Sequence, residues 1–240
     1  MGELFISLGV LPALSTEFVI WVDVMGTKSV FKESNNSATL FILKLFKSTF
    51  LSLQNEELNS YKLYPVMDGY FLTHDDPEKL IAIIKKIFIQ IANEFIVEKK
   101  PGYKFMIRAG LARGTVMHGD AISDSAEISF ISPISKSLLF GKGVVDAVEA
   151  EKGAPPFSIT IHEKSRKWFE MLNIKTTKDG QLDWLNSAFD SEKFKHSVNE
   201  YYQFRDEIPS WVDYPEEKKV KHLAAFLKMI NDFKDNKQVS

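Results

Sequence analysis

Apolar residues run from Phe18 to Val22, break at Asp23, and resume briefly before Gly26 and Thr27. A short continuous run of this kind predicts a buried strand at about 17–24. Leu40, Leu43, Phe46, Phe50 and Leu53 recur at helical spacing and predict a helix over about 37–54. Tyr61 to Val66 and Tyr70 to Thr73 flank Met67-Asp68-Gly69 and predict a hairpin. Asp76-Pro77 has the cap-then-proline order of a helix start, and that helix is expected to reach about 98, before Pro101-Gly102. Its stripe of Ile84, Ile87, Phe88 and Ile91 reads as core. A strand is expected at Tyr103 to Ala112, followed by a polar stretch carrying Gly114 and Gly119. Pro133 opens another helix, which Gly153-Ala154-Pro155-Pro156 ends after about Lys152. Phe157 to Ile161 reads as a strand and His162 to Leu172 as a short helix.

The resulting β-α-β-β-α-β order is the ferredoxin-like pattern, an α+β fold, over roughly residues 15–165. Residues 1–172 are read as one domain, and 173–240 as a helical C-terminal extension packed on it. The extension ends in an amphipathic helix from Pro215 to about Phe233, through Val220, Leu223, Phe226, Leu227 and Ile230. Net charge is −2, so no basic excess argues for a nucleic-acid or membrane-surface partner. Cysteine is absent, which excludes a disulfide scaffold, a thiolate zinc site and a cysteine nucleophile. No apolar run reaches the length of a membrane span, since Leu80 to Val97 carries Lys85, Lys86 and Glu94. Met1 to Leu14 lacks a basic start and contains Glu3 and Pro12, so it is not read as a signal peptide, and a cytoplasmic location is expected. The five histidines, His74, His118, His162, His196 and His222, have no ligand spacing and are read as surface or loop residues.

The chemistry points to Asp23 and Asp68. An acid at the end of a buried strand is costly unless something cationic meets it. Two such acids repel unless they share a divalent metal. After Asp23, Gly26 allows the backbone to approach a ligand closely, and Lys28 adds charge. Each motif alone has a plainer reading: Asp23 as a turn cap, and Asp68-Gly69 as an ordinary hairpin turn. In the β-α-β-β order the two acids can face one point.

The run 18–27 and the run 66–71, with their order, resemble the two metal motifs of the class III nucleotide cyclases. Met106 to Gly119 contains Arg108, Gly110, Gly114 and Val116 and resembles the family's Arg-x-Gly-x-x-x-Gly-x-Val. Residues 140–151 resemble its following helix. The resemblance implies that Asp23 and Asp68, with the carbonyl of Val24, bind two divalent cations, Mn²⁺ or Mg²⁺. It implies that the backbone at Met25, Gly26 and Thr27 holds the β- and γ-phosphates. A 3′-hydroxyl would attack the α-phosphate and expel pyrophosphate. The family's sites form between two head-to-tail subunits, so a homodimer is expected.

The departures narrow the expectation. The family's purine-reading lysine falls at Tyr64, and its partner aspartate near Leu138. The transition-state asparagine and arginine fall at Val145 and Glu149, leaving Arg108 and Arg113 as candidate replacements and Asp146 as a candidate polar group. This pattern resembles the Pycsar pyrimidine cyclases of bacterial anti-phage systems, in which a tyrosine replaces that lysine. That resemblance implies UTP or CTP as substrate, cyclic UMP or cyclic CMP as product, and a separate effector that senses the cyclic nucleotide. The alternatives are a catalytically silent nucleotide-binding domain and a purine cyclase with unusual base contacts.

Overall fold

The computed structural model describes residues 12–53, 60–123, 136–204 and 215–238. The central strand β1, Ser15–Val24, pairs antiparallel with β3, Gly69–His74, on one side and with β4, Ile107–His118, on the other. β2, Lys62–Val66, forms the hairpin with β3. A two-residue strand β5, Leu139–Phe140, closes the order β2-β3-β1-β4-β5. β6, Ile159–Ile161, runs parallel to β4. This is the ferredoxin-like sheet expected from the element order.

The helices cover both faces unequally. α1, Thr27–Glu33, and α2, Asn35–Leu53, follow β1. α3, Pro77–Val97, follows β3, and its cap is the predicted one, with the Asp76 carboxylate accepting from the amides of Glu78 and Lys79. After β4 come the short α4, Gly119–Ser123, and α5, Lys142–Lys152. α6, Arg166–Met171, α7, Ser191–Gln203, and α8, Glu216–Gln238, complete the chain. The main core lies between one sheet face, through Ile20, Val22 and Leu72, and residues of α2, α3, α7 and α8. The extension supplies Trp184, Phe194 and Phe226 to that core, and the Trp184 indole donates to the Phe157 carbonyl. On the other face a smaller cluster joins Val19, Tyr64, Phe71, Ala112 and Val116 to Ala147 of α5.

Several local expectations change. α2 buries Ala38, Phe41, Leu45 and Leu53, whereas Leu43 and Phe50 of the predicted stripe are exposed. Residues 40–46 are apolar almost all round, so periodicity could not select the face. β4 continues through Gly114 to His118 instead of ending at Ala112. A side chain at Gly114 would strike the backbone of Gly143, and one at Gly110 the Ala147 carbonyl. These glycines let α5 lie directly on the strand. α5 begins at Lys142, after β5, while the predicted opening at Pro133 lies outside the described residues. The histidines are not all surface residues either. His74 and His118 end strands and are buried, because both rings have polar partners there.

Candidate active site

The end of β1 sets the site. In the sheet register Asp23 stands between Gly69 on β3 and Arg108 on β4. Gly69 is required there, since a Cβ would collide with the Val22 carbonyl and the Trp21 ring. The hairpin turn, with Met67 at φ 49°, then brings Asp68 over the strand end. On the other side Gly26, at φ 80°, turns the chain into α1, and its carbonyl accepts from the amides of Ser29 and Val30. Thr27 donates its hydroxyl hydrogen bond to the Asp68 carboxylate. The result is a cleft of about 400 Å³ lined by Asp23, Val24, Gly26, Thr27, Lys28 and Asp68, among others.

Charge in this cleft is unbalanced. Burial pushes the Asp23 carboxyl up to about 7, and the negative charges of Asp68 and Glu151 push the same way. Arg108 opposes them, with a guanidinium nitrogen 3.5 Å from Asp23 Oδ2. The same guanidinium contacts Glu151, whose carboxyl is itself raised, first by burial. Asp23 is raised because Arg108 does not offset burial and the two neighbouring acids. A divalent cation fits that donor set, with Asp23, Asp68 and the Val24 carbonyl as the oxygen ligands within reach.

Glu151 was not singled out as a site residue from the sequence. It reaches the cleft because Gly110 lets α5 press onto β4 beside Arg108; a Cβ at Gly110 would meet the Glu151 amide as well as the Ala147 carbonyl. The usable signal was the spacing of Arg108 and Gly110, read together with the helix that must cover the glycine.

The other expected residues separate. Gly26, Thr27 and Val24 line the cleft, but Met25 is a core residue. Its amide donates to the Met106 carbonyl and is not available to a phosphate, which corrects the expectation for Met25. Arg113 lies on the opposite sheet face from Arg108, five residues along an alternating strand. It stacks over Trp168, 3.9 Å from the ring centroid, and does not line the cleft. Tyr64 is buried on the α5 side of the sheet. Its hydroxyl is 2.7 Å from His118 Nδ1, and His118 Nε2 is 2.7 Å from Glu17 Oε1. Burial alone would raise the Glu17 carboxyl, but hydrogen bonds from His118, Ser15 and Thr73 outweigh it and hold it at about 2. The ionised Glu17 therefore accepts from Nε2, and Nδ1 of the same ring is hydrogen-bonded to the Tyr64 hydroxyl. The Tyr64 hydroxyl is thus engaged, and its ring is buried against His118 and the α5-side cluster.

Val145 projects into solvent on α5. Asp146 is buried and bound by Lys142 Nζ at 2.6 Å. Asp146, Glu149 and His162 each offer a metal-ligand atom within 4.8 Å of the others. Part of the expectation about histidine is thereby corrected: His162 lacks a sequence spacing to these acids yet meets them in space. Among the described residues no helix is long and apolar enough to cross a membrane.

No protein-family model matches the chain, and no curated protein matches it. Solved structures do. The monomeric guanylyl cyclase domain of the RhoGC fusion protein from the aquatic fungus Blastocladiella emersonii matches with a TM-score of 0.50 at 17% identity, over 68% of this chain and 89% of that one. A dimeric form of the same domain matches with a TM-score of 0.50 at 16% identity, over 70% and 89%. The described chain thus has the fold of class III nucleotide cyclase catalytic domains.

Proposed function

We propose that the protein is a nucleotide cyclase that converts a pyrimidine nucleoside triphosphate, UTP or CTP, to its 3′,5′-cyclic monophosphate and pyrophosphate. The observation that carries this reading is the convergence of Asp23 and Asp68 at the end of β1, with the Asp23 carboxyl raised to about 7 by burial and neighbouring acids. Asp23, Asp68 and the Val24 carbonyl would hold Mn²⁺ or Mg²⁺, two ions per site. When bound, such ions neutralise phosphate charge and favour the ionised hydroxyl. Gly26 and Thr27 would border the phosphates. In the reaction the substrate's 3′-oxygen forms a bond to the α-phosphorus. The bond from that phosphorus to the bridging oxygen breaks, pyrophosphate leaves, and the hydroxyl proton is released. Arg108, with Lys28 and Lys32 lining the cleft, is a cation beside this charge, whereas Arg113 stands on the opposite sheet face.

Pyrimidine selection rests on Tyr64. Because its hydroxyl is bound to His118 and its ring is buried, the proposed contribution is the shape of the wall it backs, supplied across a head-to-tail homodimer. Stacking favours no base sharply, so Tyr64 acts by narrowing the site against a purine. The further proposal is a cytoplasmic second-messenger role in anti-phage defence, read by a separate cyclic-nucleotide effector. A second reading, a catalytically silent nucleotide-binding domain, is favoured by one observation: Glu149 faces His162 where the family has an arginine. Purified protein incubated with Mn²⁺ and each of ATP, GTP, CTP and UTP decides between them by mass spectrometry. Cyclic UMP or cyclic CMP is expected. Cyclic AMP or cyclic GMP would refute the role given to Tyr64, and no product from a folded dimer would favour the silent domain.

A further inference from the structure

Asp146 and Glu149 stand three residues apart on α5, so both project from one side of the helix. His162 follows directly after β6. Its amide donates to the Leu111 carbonyl at 2.8 Å, and its carbonyl accepts from the amide of Ser165, so the backbone that carries the ring is held on both sides. Helix and strand end thus bring an imidazole and two carboxylates together, with one ligand atom from each lying within 4.8 Å of the others. None of the three residues lines the Asp23 cleft.

An ion-paired histidine is the plainer account, but the geometry leaves it incomplete. His162 Nδ1 lies 3.9 Å from Asp146 Oδ2, and His162 Nε2 lies 3.5 Å from Glu149 Oε2. Both separations exceed ordinary N–H···O lengths. Nδ1 is buried and has no hydrogen-bond partner among the described residues. A buried ring nitrogen left in this way is costly. Asp146 is buried as well, and Lys142 Nζ holds its Oδ1 at 2.6 Å, which leaves Oδ2 beside the imidazole. Ligand atoms ~2.0–2.1 Å from a tetrahedral zinc ion stand about 3.3 Å from one another. The gaps around His162 are near that spacing, and the Glu149 side chain, more than half exposed, can adjust to it.

We propose that Asp146, Glu149 and His162 form a binding site for a first-row divalent cation of the zinc class, with Lys142 as the outer group that orients the Asp146 carboxylate. An imidazole in the set favours Zn²⁺ over Mg²⁺ or Ca²⁺, which prefer oxygen ligands throughout. Three protein ligands leave a fourth position to water. The ion fastens α5 to the segment after β6. The site uses none of the residues on which the cyclase reading rests.

Competition for Zn²⁺ between the metal-stripped full chain and a chromogenic chelator, in excess Mg²⁺, tests the site. The wild-type protein is expected to retain a Zn²⁺ ion that Mg²⁺ does not displace. His162→Gln and Glu149→Gln are each expected to weaken this binding about 10-fold or more, since even outer groups of a metal site are worth that factor. Zn²⁺ should raise the melting temperature of the wild type but not of Glu149→Gln, whose exposed position leaves metal-free folding unchanged. Binding by both variants equal to wild type, displacement of all Zn²⁺ by Mg²⁺, or absence of binding overturns the proposal. Asp23→Asn/Asp68→Asn should bind Zn²⁺ here as the wild type does, which separates this result from the fate of the cyclase reading. Loss of the ion in that variant would place it in the acidic cleft and overturn the assignment.

Discussion

Two groups of partly buried polar side chains occupy the same face of the sheet, and they are in opposite electrostatic states. Glu17, His118 and Tyr64 form a closed chain in which donors meet acceptors at 2.7 Å, and the Glu17 carboxyl sits at about 2. Asp23, Asp68 and Glu151 crowd around Arg108, and the Asp23 carboxyl sits at about 7. Both groups have lost water. The first has replaced it within the chain and so stabilises the fold. The second has not, and is left with a demand for positive charge that a ligand can meet. The contrast separates a polar group that builds structure from one that awaits chemistry.

The sharpest break in this comparison is at Asp23. Asp23→Asn is expected to lower cyclic-nucleotide formation by about 10³-fold or more, as loss of a principal charge-stabilising group does. The metal-free variant should nevertheless melt no lower than the wild type, because the removed charge was opposed by burial and by Asp68. Calorimetry beside the product assay checks both halves, and a large drop in melting temperature would count against the assignment. Glu17→Ala should do the reverse. Removing Glu17 leaves His118 Nε2 buried without its acceptor, at a cost of roughly 3 kcal/mol in denaturant unfolding.

The next test uses pH. The Glu17 carboxyl lies below its ordinary 4.5, at about 2, so the folded state binds fewer protons than the unfolded one between these values. Its stabilisation is complete above about 4.5 and is lost as pH falls toward 2. The loss should be on the order of 2–3 kcal/mol, and Glu17→Gln should flatten that part of the profile. The smallest effect is expected at Arg113. Arg113→Ala removes the stack on Trp168 and should cost about 1 kcal/mol of stability while leaving turnover intact. A turnover defect without a stability change would return Arg113 to the reaction.

The parts legible from sequence were those with a local physical signal. The Phe18 to Val22 run, the Asp76-Pro77 cap and the turn at Met67-Asp68-Gly69 each specify their element through nearby residues. Asp23 and Asp68 could be paired because strand order alone puts their ends together. Glu151 could not, since it joins them only through the contact between α5 and Gly110. Gly114 read as a loop residue for the same reason: a glycine in a strand makes sense only when the helix lying on it is known. Arg113 and Arg108 looked equivalent along the chain, and sheet alternation separates them. Met25 looked like part of a phosphate loop until its amide was found on Met106. His162 meets Asp146 and Glu149 only because β6 returns to pair with β4, on which α5 lies, a contact no local pattern spans.

The trough formed by Gly110 and Gly114 gives α5 the mechanics of a seated beam. It meets β4 closely through backbone at Gly143 and Ala147, while Val144 and Val148 pack on the apolar cluster beside these points. Such a joint resists sliding and rolling far better than one made of interdigitated leucines. Glu151 at one end and exposed Val145 near the other are therefore fixed to a single rigid member. Glu151, which touches Arg108 beside the acidic cleft, and the exposed Val145 thus belong to one helix seated directly on the strand.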